Sequence, residues 1–66
     1  MRPQRSQRDL MRELVRRFGR DADRVTREYA AAEDRGEVRR KRNERSLSSL
    51  EYAKALWADA IKKDWL

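Results

Sequence analysis

Apolar side chains recur every three or four residues in three separate stretches, and each stretch follows a residue able to cap a helix. Ser6 precedes the first, with Asp9 three residues on as the acidic partner of a capping box. At about 100° per residue, Leu10, Met11, Leu14, Val15 and Phe18 then share one broad face, and Gly19 is a natural stop. After a short Gly19-Arg20-Asp21 turn, Asp21 is placed to cap a second helix with an Ala22, Val25, Tyr29 and Ala32 stripe. Ala30 and Ala31 favour helix there and let a neighbour approach closely, and Gly36 ends it. Ser48 and Glu51 make a second capping box, with Leu47 and Tyr52 at the spacing of a hydrophobic staple. Leu50, Ala53, Leu56, Trp57, Ala60 and Ile61 form the third apolar face, and Lys62 and Lys63 suit the negative end of the helix dipole. The pattern predicts helices over 7–18, 22–34 and 49–64, with a basic linker over 35–47 that Val38 anchors to the core. No strand pattern or internal repeat competes with an all-α, three-helix domain.

A chain of 66 residues has room for one small core, which at this size rarely supplies more than about 3–5 kcal/mol of net stability. There is no cysteine to form a disulfide, and with histidine also missing the usual zinc ligands are lacking. Helix packing or self-association must then carry the fold, and a homodimer is expected as often as a monomer. The same composition removes the common nucleophile and general-base arrangements. Acid pairs such as Asp21/Asp23 and Glu33/Asp34 do not converge on one helical face, and no glycine-rich phosphate loop occurs. A binding protein without metal or cofactor is expected, rather than an enzyme. No apolar run approaches the roughly 20 residues of a membrane span, so a cytoplasmic protein is expected.

Charge is distributed unevenly. The formal net charge is +6, and residues 1–45 carry all of it, with 15 Lys and Arg against nine Asp and Glu. Fourteen cations are arginine, whose planar fork suits phosphate, although genome base composition can produce the same bias. Arg35 to Arg45 concentrates six cations against two carboxylates. So dense a cluster repels itself and favours a polyanionic neighbour. Arg39, Arg40, Lys41, Arg42 and Arg45 are therefore the primary nucleic-acid candidates, with Asn43 able to hydrogen-bond a base or phosphate. Arg5, Arg8, Arg12 and Arg16 form a second row at helical spacing. Taken alone, that row reads more simply as a solvated face partly balanced by Asp9 and Glu13.

The first two predicted helices have the short glycine turn of a helix-turn-helix. Electrostatics disfavour that motif: Asp21 to Asp34 holds five carboxylates against Arg24 and Arg27, and a net charge of −3 opposes entry into a groove lined by phosphates. At the other end, Trp57 is simplest as core. Trp65 and Leu66 fold back onto the first helix in the plainer reading. The alternative is an exposed apolar end, including Ile61, that docks a second copy or another protein. Stacking of these aromatics on single-stranded bases ranks last, because they lie far in sequence from the basic cluster.

The stretches Tyr29-Ala-Ala-Ala-Glu33-Asp-Arg-Gly36-Glu37-Val38 and Ser48-Ser-Leu-Glu-Tyr52-Ala53-Lys-Ala-Leu56-Trp57-Ala-Asp59 resemble short helical proteins of actinobacteria and their phages. Some of these accompany HNH-type nucleases, a catalytic site that a chain without histidine does not itself contain. The resemblance implies a small accessory protein and transfers no functional residue. The sequence thus points to a basic helical protein that binds nucleic acid, DNA more than RNA, through phosphate contacts. The competing reading is a protein-interaction module, such as a phage-encoded effector or inhibitor, using Trp57, Ile61, Trp65 and Leu66.

Overall fold

The structure is a computed structural model that describes residues 4–40 and 47–66. It contains three helices, α1 (Gln7–Phe18), α2 (Ala22–Asp34) and α3 (Ser49–Lys62). Each begins where the sequence places a cap. The Ser6 hydroxyl accepts the Asp9 backbone N–H at 3.1 Å, Asp21 Oδ1 that of Arg24 at 3.2 Å, and Ser48 Oγ that of Glu51 at 3.2 Å. Each cap satisfies one donor that the first helical turn leaves without an intrahelical partner.

The ends of the helices decide how the chain turns. α2 closes in a Schellman arrangement: the Gly36 N–H donates to Glu33 O and the Glu37 N–H to Ala32 O, both at 3.0 Å. Gly36 makes this turn at φ 81°, in the left-handed region that glycine enters without penalty. α3 ends the same way with a less usual residue. Asp64 takes φ 59°, its N–H donates to Ile61 O at 3.2 Å, and the Trp65 N–H donates to Ala60 O at 2.9 Å. The third helix therefore stops at Lys62, two residues short of the sequence expectation, because the Asp64 turn diverts the chain.

α2 lies centrally, packed most extensively on α3 and also on α1. Leu10, Met11 and Leu14 face Val25, Tyr29, Ala30 and Ala32, and Tyr52, Ala53, Leu56 and Ala60 complete the core. Thr26 is buried as well, its hydroxyl donating back to Ala22 O at 2.7 Å and so leaving no unmet donor. Ala22, by contrast, is exposed rather than part of the apolar stripe. Leu47, the outer half of the staple, packs half-buried against the core that contains Tyr52.

Val38 is buried and fixes the start of the linker, as its isolated apolar character predicts. It forms a single parallel bridge with Arg5, whose backbone N–H donates to Glu37 O at 2.9 Å. The Gln7 amide donates to Arg39 O at 3.2 Å and also to the Tyr52 hydroxyl. The segment leaving α2 is thus held against the chain entering α1. No helix among the described residues is long and apolar enough to cross a membrane.

Candidate nucleic-acid interface

The predicted cations have different surroundings. Arg40 is drawn inward: its Nε donates to Glu33 Oε1 at 2.7 Å, and its terminal nitrogens pair with the same carboxylate and the Leu47 carbonyl. Its guanidinium also lies 5.1 Å from the centre of the Tyr52 ring. Only 20% of the Arg40 side chain and 10% of the Glu33 side chain are exposed. This charge serves the fold. Beside it, Ser49 Oγ donates to Asp34 Oδ1 at 2.6 Å, which ties the end of α2 to the start of α3. Arg39 remains exposed, with its backbone held at the first turn of α1. Lys41, Arg42, Asn43 and Arg45 lie outside the described residues.

The second row divides as well. Arg5 precedes α1 rather than continuing its spacing, and its guanidinium pairs with Glu13. The Arg5 guanidinium holds the Glu13 carboxyl below its ordinary range, and the Glu13 carboxylate raises Arg5 in turn. Arg8, Arg12 and Arg16 are exposed on α1 at four-residue intervals, a row of about 12 Å at 1.5 Å per residue. Among the described residues none of the three has an ion pair. The flanks of this row differ. A groove on one side is lined by Arg5, Asp9, Arg12, Glu13 and Arg16, so two carboxylates temper its cations. A recess on the other is lined by Arg12, Val15, Arg16, Trp65 and Leu66, with no acidic side chain among them.

That recess is a product of the Asp64 turn. Trp65 and Leu66 fold back half-buried onto the core beside α1, as the plainer sequence reading expects. Residues remote in sequence from every arginine are thereby brought beside Arg12 and Arg16. Trp65 and Leu66 line the α1 recess, whereas half-buried Trp57 lies by Ala22, Asp23, Thr26 and Lys54. Ile61 is 56% exposed and, with Leu50 at 36%, stands out on the outer side of α3.

Further arginines, absent from the sequence candidates, gather where α1 turns into α2. Arg17 and Arg24 lie 5.7 and 5.5 Å from the centre of the half-buried Phe18 ring, with exposed Arg20 between them in sequence. Their sequence neighbours gave no periodic signal, since the cluster forms only when α2 packs back on α1. α2 and its cap expose Asp21, Asp23, Glu28 and Asp34, carboxylates that contribute to the net negative charge disfavouring a recognition helix. Among the described residues there is no group of three side chains able to hold a metal ion. No family model, curated protein or solved structure matches the chain.

Proposed function

We propose that this protein is a cytoplasmic nucleic-acid-binding accessory protein that contacts phosphates through the outer face of α1. The observation carrying this reading is the Arg8, Arg12 and Arg16 row, exposed and without ion pairs among the described residues. Exposed Arg39 extends the patch at the first turn of α1, and Arg17 and Arg20 extend it at the last. The net charge of +6 supplies the long-range attraction. Binding of this kind proceeds by release of condensed counterions, so it weakens steeply with salt and discriminates little between sequences. DNA is the first partner to test. Fluorescence anisotropy with a random-sequence duplex and a single strand, across a salt series, tests the reading. Binding that falls steeply with salt supports it, and no binding at low salt rejects it.

A second reading is favoured by a separate observation, the exposure of Leu50 and Ile61 on α3. In this reading the outer side of α3 pairs with a second copy or another protein. Sedimentation of the wild type and of Ile61→Glu distinguishes it: a dimer that the substitution dissociates supports the reading, and a wild-type monomer removes self-association.

A further inference from the structure

The recess beside α1 combines two chemistries that the phosphate-binding reading does not require together. Arg12 and Arg16 are exposed cations, and half-buried Trp65 and Leu66 line the same recess. The space is about 210 Å³; outside its lining, Lys63 Nζ, paired with Asp59 at 3.1 Å, lies over the indole 5.7 Å from its centre. The turn at Asp64 places the Trp65 main chain there, its backbone N–H donating to Ala60 O at 2.9 Å. A patch that only neutralised phosphate would gain nothing from an aromatic ring beside its arginines.

We propose that this recess takes one unpaired nucleobase, stacked on Trp65, with the adjoining phosphates on Arg12 and Arg16. The inference rests on the nucleic-acid reading above and sharpens it to single-stranded substrate. An aromatic face accepts any base, so sequence preference stays weak. A duplex keeps its bases stacked and paired, and offers such a face only after unpairing. The arginines serve both forms of nucleic acid, whereas the indole serves the single strand. Affinity for the two forms therefore responds differently to changes at position 65.

The test compares a thymidine oligonucleotide with a random duplex of equal length, by anisotropy at matched salt. W65L is expected to lower affinity for the oligonucleotide about fivefold or more, and affinity for the duplex by less than about twofold. W65F, which keeps an aromatic face, restores most of the loss. In the single-tryptophan protein W57F, the bound oligonucleotide quenches Trp65 emission, a readout that stands even where W65L fails to fold. Emission unchanged on saturation with the oligonucleotide, or equal losses for both nucleic acids in folded W65L, would overturn the stacking proposal while leaving phosphate binding in place. Failure of the wild type to bind either form would overturn both readings.

Discussion

Arg40 reaches back seven residues to Glu33, its Nε donating to Oε1 at 2.7 Å, and joins the end of α2 to the entry of α3. The pair is mostly buried and the same guanidinium also satisfies the Leu47 carbonyl. Removing one member leaves the other's mostly buried charge without its counter-ion, which costs more than the intact pair contributes. Arg40→Gln and Glu33→Gln should each destabilise the fold by about 2–4 kcal/mol. Replacing both with leucine should cost less than the sum of the two single changes. Urea titrations of the four proteins check this, and additive losses would show that the two side chains do not act as a pair.

Asp64 and Gly36 hold the same position in two helix-ending turns with opposite propensities. Both have positive φ, which an aspartate side chain tolerates less well than hydrogen. Asp64→Gly should stabilise the protein by about 0.5–1 kcal/mol, whereas Gly36→Ala should destabilise it by about 1 kcal/mol. A Cβ on Gly36 would meet nothing within 4 Å, so the loss is one of backbone conformation alone. Thermal melts of both variants provide the comparison.

Tyr29 links stability to alkaline pH. Burial raises its phenol above the ordinary value of 10.0, with Tyr52 and Glu33 adding to the shift. Above that value the unfolded chain releases the proton while the folded chain retains it, so stability falls as pH rises. Below it both states are protonated and the contribution is level. Tyr29→Phe should flatten the loss of stability above about pH 10, as measured by denaturant midpoints across the alkaline range.

Local signals in the sequence located the fold, and non-local ones were missing from it. Ser6, Asp21 and Ser48 were legible as caps because each acts on an N–H only three residues away. The all-α class and the anchoring of Val38 followed from periodicity and from one isolated apolar residue. The end of α3 was misplaced because aspartate is an uncommon choice for a left-handed turn, so Asp64 carried no stop signal. Arg40 read as one more cation in a basic run, since its pairing with Glu33 depends on the turn at Gly36 returning the chain toward α2. The return of Trp65 and Leu66 onto α1 was legible, but their place beside Arg12 and Arg16 was not, because it exists only after α3 has packed and its last turn has closed.

The exposed row on α1 and the inward Arg40 make contrasting contributions to charge. Binding should follow the first and stability the second.

The most direct test is the salt dependence of duplex binding for wild type and for Arg8→Gln/Arg12→Gln/Arg16→Gln, measured by fluorescence anisotropy. Each phosphate contact contributes about 0.9 to the slope of log affinity against log salt, so losing three should flatten it by about 2–3. Affinity at low salt should fall with it while the thermal melt stays unchanged. An unaltered slope and affinity in the folded triple variant would contradict the assignment of α1 as the phosphate-binding face.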